Sequence, residues 1–299
     1  MRLEISTVML QWAAGGLLFA WVTTRHRVVG LGYGWLLRGV YGAFALAALG
    51  ASVAGGRTGI ASTVFRASCV AAVAGAGIAL AVSVARRRAG VRGQRERATR
   101  VRARVGTTTD GGRSEGAAGP EGESDAEGGA EVGAEFPPVL DLVAPVCAIV
   151  GLFAAATSDG GPYALTLFRL LAGAALLGVS SDAMLLGHWY LVQPGLGREP
   201  LRELVAWLAL AWAVDVVAFL VPTGVVSVFT GAIDDGYDGL LGWVWLASAV
   251  TTIGLAGATW AALKERAYSA VMAATGLLYL AILTAFGTDL VARALLNPT

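Results

Sequence analysis

Cysteine and histidine are almost missing from this chain, with two of each in 299 residues. Cys69 and Cys147 both fall inside apolar runs rather than loops, which excludes a disulfide framework and a Cys-x-x-Cys metal site. A haem held by two histidines would need both His26 and His188, and His26 stands between Arg25 and Arg27 in a short connection, a poor axial ligand. Lysine is scarcer still. Lys264 is the only one, and arginine beside abundant Ala, Gly and Val looks like GC-rich codon usage, so no nucleic-acid partner is expected. No Gly-x-Ser-x-Gly, His-Glu-x-x-His or phosphate-cradling glycine loop occurs, which lowers hydrolase, protease and ATPase readings and leaves catalysis undecided. Gly30-Leu31-Gly32-Tyr33-Gly34 lacks the sixth-position glycine of a dinucleotide fingerprint and reads as a flexible lead-in to a helix. Asp234-Asp235-Gly236-Tyr237-Asp238 lacks the terminal Glu of a calcium loop and reads as a solvated turn.

Charge is scarce as well. Only 14% of residues are charged while 56% are hydrophobic, and the mean hydropathy is +0.66, values a soluble domain does not fit. What is present instead is apolar length. Eight runs, at 5–22, 35–53, 60–85, 139–156, 163–192, 204–221, 240–263 and 268–296, can each cross a hydrocarbon core of about 30 Å as a helix. The expected fold is all-α, a polytopic integral membrane bundle of about eight helices whose first partner is the lipid bilayer. The first run ends without a small-residue cleavage site, which favours a retained helix over a signal peptide.

Connections holding Arg25, Arg27, the Arg86–Arg104 cluster, Arg198, Arg202, Lys264 and Arg266 outnumber in basic residues those holding Arg2, Arg57 and Arg293. The positive-inside rule makes the first set cytoplasmic, puts both termini outside and points to the cell membrane. Ten of the 22 basic and nine of the 21 acidic residues lie between 86 and 135. The chain therefore divides into helices 1–3 over 1–85, a linker over 86–138, basic then acidic and too polar to fold, and helices 4–8 over 139–299. Its basic start suits anionic headgroups. Small residues three or four apart, Gly39 and Gly42, Gly75 and Ala79, Ala174 and Gly178, and Gly254 and Gly257, suit close helix packing.

An ionisable side chain at mid-bilayer costs about 2.5–3.5 kcal/mol on insertion scales, so each one needs a partner, a wet cavity or an escape to the interface. Counting along the helices places Arg38, Asp141 and Asp182 about 7–9 Å to the cytoplasmic side of their midpoints, where Arg38 and Asp182 are expected to pair. Asp215 lies about 4 Å to the outer side, with Arg66 and Arg169 about 10–13 Å outward. Two polar layers follow. Arg66, Arg169 and Arg293 are long enough to snorkel to headgroups, and Asp289 and Arg293, four apart, form a favourable local pair. The substrate or proton site is read as Arg38, Asp141, Asp182, His188 and Asp215; a purely structural ion pair fixing helix register is the plain alternative. Trp189 and Tyr190 suit an interfacial belt or, with His188, a quinone headgroup.

The stretch 183–194, with Gly187-His188-Trp189-Tyr190-Leu191 at its centre and Pro200-Leu201 after it, resembles a motif of an uncharacterised family of bacterial multi-pass membrane proteins, and 30–38 is similar to that family's first half. The resemblance implies that Arg38, Asp182 and His188 act together, and it carries no known activity. Three functions remain open: movement of a small solute or proton through a site between helices 2 and 5, a redox subunit binding a quinone or, less favoured, haem, and a structural or assembly role.

Overall fold

Within lipid each backbone N–H and C=O must be satisfied by its own segment, so an apolar run has one local solution. The computed structural model describes residues 4–56, 58–92, 136–158, 161–193, 196–224, 227–228, 237–265 and 267–295, which form eight long helices and no strand. These are α1 (Ile5–Thr24), α2 (Leu31–Ala54), α3 (Ile60–Ala85), α4 (Val143–Ala156), α5 (Tyr163–Val192), α6 (Glu199–Thr223), α7 (Leu240–Ala262) and α8 (Tyr268–Leu295). A 3-10 turn, Pro138–Leu142, leads into α4. With that turn counted in α4, all eight are long and apolar enough to cross a membrane. The chain is an all-α, multi-pass membrane protein. Most of the linker, Asp234 and Asp235, and the charges at Arg2, Arg57 and Arg266 lie outside the described residues.

Two helices begin earlier than expected. Helix α2 starts at Leu31, so of the glycines read as a flexible lead-in Gly30 is the N-cap and Gly32 and Gly34 are in the first turn. Both lie close under side chains: a Cβ on Gly32 would stand 2.9 Å from the Trp189 ring, and one on Gly34 would stand 3.0 Å from Nη1 of Arg38. Helix α6 starts at Glu199 with Pro200 in its first turn, where no intrahelical N–H is required.

Helices α1 and α5 form the centre. Of the apolar stretch of α5, 78% is buried, against 28% for α7, which leaves α7 facing lipid. Helix α1 packs against α2, α4 and α5, while α5 also packs against α6 and α8 and so joins the two sides of the bundle. Their backbones touch. A Cβ on Gly15 would fall 1.7 Å from the carbonyl oxygen of Ala174, and one on Gly178 would fall 2.1 Å from the Gly15 carbonyl carbon, so only glycine fits this crossing. The Ala174–Gly178 pair is thus a packing seam, and a Cβ on Gly75 would stand 3.2 Å from the Ala144 backbone of α4. Gly39, Gly254 and Gly257 have nothing within 4 Å of their would-be Cβ atoms, which corrects the expectation that their spacing marks contacts.

Candidate functional site

Polar side chains gather at three levels of the bundle, and the innermost corrects the pairing expected from depth. Arg38, on α2, donates from Nε and Nη2 to Oδ1 and Oδ2 of Asp141, both at 2.7 Å, in a bidentate pair that is almost fully buried. The Phe136 ring lies under the guanidinium, 4.7 Å from it. Asp182 is not its partner. Depth along a helix can be counted, but Arg38 points about 60° away from Tyr41, the α2 residue that reaches Asp182, and towards the 3-10 turn that carries Asp141. Beside this pair lies a cavity of about 50 Å³.

Asp182 itself is fully buried, 0% exposed, where α1, α2 and α5 meet. The Tyr41 hydroxyl donates to its Oδ1, and the Tyr33 hydroxyl donates to its backbone carbonyl at 3.2 Å. Ser181 accepts from the Trp12 indole at 2.7 Å and lies within hydrogen-bonding reach of Tyr41. Among the described residues Asp182 Oδ2 has no hydrogen-bond partner and no cation stands within salt-bridge distance of the carboxyl. The site between helices 2 and 5 is therefore a lone carboxyl among hydroxyls, with α1 closing its third side. Sequence reasoning passed over Tyr33, Tyr41, Ser181 and Trp12. The signal for the two tyrosines was the four-residue spacing of Tyr33, Leu37 and Tyr41, which puts their long side chains on one stripe of α2, from where both reach Asp182.

About 13 Å along α5 towards its N-terminus, at Gly173, a third group converges. A Cβ on Gly173 would stand 2.3 Å from Oδ1 of Asp289, 2.9 Å from Nη2 of Arg293 and 3.1 Å from Nε2 of Gln11. Arg293 donates to Asp289 at 2.8 and 3.0 Å, so the local pair expected from the i, i+4 spacing is present. Arg293 is 1% exposed and points into the bundle, which overturns its reading as a snorkelling residue. Gln11 donates to the Leu170 carbonyl at 2.6 Å, and its Oε1 and Nη1 of Arg293 have no hydrogen-bond partner among the described residues. Asp215, on α6, stands within electrostatic reach of Asp289 and Arg293 and makes no hydrogen bond among the described residues. Gln11 was missed because only ionisable groups were sought.

The other outer arginines do not snorkel either. Arg66 donates to the Ser52 hydroxyl and carbonyl at 3.2 and 2.8 Å, tying α3 to α2. Arg169 donates to the Ala218 carbonyl at 3.0 Å. That carbonyl lies four residues before Pro222 inside α6, and proline has no N–H to give it.

His188 is separate from Arg38 and Asp182. Its side chain is exposed on the outer surface of α5, where Nδ1 meets the Tyr279 hydroxyl of α8 at 3.2 Å. Trp189 turns inward, donating to Gln193 at 3.1 Å and packing near Tyr33, and the Tyr190 hydroxyl donates to the Gly197 carbonyl. Both brace the end of α5. Among the described residues no cluster of three or more His, Cys, Asp or Glu side chains forms a metal site. Compared with protein-family models, curated proteins and solved structures, the chain matches none.

Proposed function

We propose that this protein carries protons across the cell membrane by way of Asp182, with the cluster of Gln11, Asp215, Asp289 and Arg293 on the outer side of the path. The observation that carries the reading is the fully buried carboxyl of Asp182, which among the described residues has no countercharge and leaves one oxygen without a hydrogen-bond partner. A charge there is expensive, so a group able to gain and lose one suits a pathway more than a scaffold. Its immediate neighbours are the hydroxyls of Tyr41, Tyr33 and Ser181, which both accept and donate and so can pass a proton along. A small hydrogen-bonding solute held by the same carboxyl is the wider form of this reading.

Liposomes holding the purified protein and a pH-sensitive dye test it. Under an imposed potassium diffusion potential the wild type acidifies or alkalinises the lumen, Asp182→Asn does not, and Asp234→Asn in the acidic loop behaves as wild type. Equal flux in Asp182→Asn and wild type, with both folded, overturns the reading.

A second reading rests on the His188–Tyr279 pair. Two hydrogen-bonding groups side by side on a lipid-facing surface suit a quinone carbonyl arriving from the bilayer. Solvent extraction and a visible spectrum of the purified protein decide it: a stoichiometric quinone lost in His188→Ala supports redox work, and its absence removes that role.

A further inference from the structure

The cavity beside Arg38 is not explained by proton movement through Asp182. It opens near the predicted cytoplasmic ends of α1, α2 and α3, and three guanidinium groups, from Arg27, Arg38 and Arg86, line it with the single carboxylate of Asp141. Arg38 is paired there with Asp141, and Arg27 also donates to the Phe136 carbonyl at 3.1 Å. Arg38 is held rigid by the carboxylate on one edge and by Phe136 beneath its plane, yet only Nε and Nη2 are engaged. Its Nη1 makes no hydrogen bond among the described residues and lies over Gly34, another lining residue whose missing Cβ keeps that side clear.

A second, independent feature points the same way. Helix α2 begins at the cavity wall, and its N-cap, Gly30, contributes no side chain to cover the first amide groups of the helix. Uncapped amides at the positive end of a 24-residue helix favour an anion. The cavity, about 50 Å³, has room for roughly three to five waters or one tetrahedral oxyanion.

We propose that this cavity binds a phosphate group, supplied either by the headgroup of an anionic phospholipid or by soluble phosphate, with Arg38 Nη1 and the α2 N-terminus as its inner contacts and Arg27 and Arg86 at its mouth. Planar guanidinium groups match phosphate oxygens in geometry as well as charge. Leu31, Phe136 and Pro138 give the same wall an apolar part that a lipid's glycerol and acyl groups can cover. The proposal stands whether or not Asp182 carries protons.

The test uses the full chain in an uncharged maltoside detergent. In one arm, native mass spectrometry follows binding of phosphatidylglycerol against phosphatidylcholine; in the other, equilibrium dialysis follows inorganic phosphate with no lipid added. Preferential binding of phosphatidylglycerol assigns the lipid source, and saturable phosphate binding without lipid assigns the soluble one. In either case Arg86→Gln and Arg27→Gln each weaken binding by about tenfold, the size of one lost charge-assisted contact. Arg198→Gln, a cytoplasmic-side change remote from the cavity, leaves it unchanged. Arg86 is exposed, so its variant is expected to fold even if a change at Arg38 does not. Equal occupancy by the two lipids together with no phosphate binding overturns the proposal. So does unchanged affinity in the folded Arg27→Gln/Arg86→Gln double variant.

Discussion

Buried charges in this bundle are arranged in two opposite ways. Arg38 and Asp141 complete one another through two hydrogen bonds, whereas among the described residues Asp182 has a tyrosine hydroxyl on one oxygen and no partner on the other. Removing one member of a completed pair strands the other in a low-dielectric interior, so Arg38→Ala should cost about 3–5 kcal/mol of stability. Replacing both, as Arg38→Met with Asp141→Leu, should recover most of that loss, because two apolar groups of similar size need no partner. Thermal unfolding in detergent checks both, and a double variant no more stable than Arg38→Ala would show that the pair does more than cancel charge. Asp182→Asn should behave differently: the amide keeps the size and the contact with Tyr41, so the fold survives while the proposed proton flux is lost. The list of ionisable residues was legible in the sequence, since any such group in an apolar run is conspicuous. Which of them meet was not, because two carboxylates, Asp141 and Asp182, were available at about the depth of Arg38.

Helix positions were read closely, and the reason is the solvent. Lipid forces every long apolar run into a helix, so α3 and α5 begin and end where the hydrophobic runs do. The ends that moved, at Leu31 and Glu199, are ones where glycine or proline normally argues for a break and packing or position allowed a first turn instead. Inside α6 a proline acts across helices. Pro222 frees the Ala218 carbonyl, and Arg169 of α5 reaches over to satisfy it at 3.0 Å. Arg169→Met should therefore cost about 1–3 kcal/mol in the wild type, the penalty of an unsatisfied buried acceptor. In a Pro222→Ala background, where residue 222 regains its N–H, the same change should cost little. A double-mutant cycle on thermal stability measures the coupling, and strict additivity would break the link between proline and arginine.

The whole bundle depends on how near α1 and α5 can come. Gly15 and Gly178 let their backbones meet, and that approach brings Gln11 to Gly173, Trp12 to Ser181 and Tyr41 past Gly16 to Asp182. A single methyl tests the seam. Gly178→Ala should destabilise by about 3 kcal/mol through backbone overlap, whereas Gly254→Ala, with open space around it, should be neutral or stabilise by up to about 1 kcal/mol. Equal melting temperatures for the two variants would show that the seam can part at no cost. Because the seam also aligns the polar levels, Gly178→Ala should lower the proposed proton flux in whatever fraction remains folded.

Hydropathy and length were sufficient for the class, the number of spans and their approximate limits, since the bilayer responds to one-dimensional properties of a segment. Azimuth and partnership are relations between segments. The same small-residue spacing is a seam at Ala174–Gly178 and open surface at Gly254–Gly257, and His188, six residues from Asp182 in the chain, faces outward while Asp182 faces inward. Those choices follow from how eight helices share one limited interior, a competition that no single run of residues records.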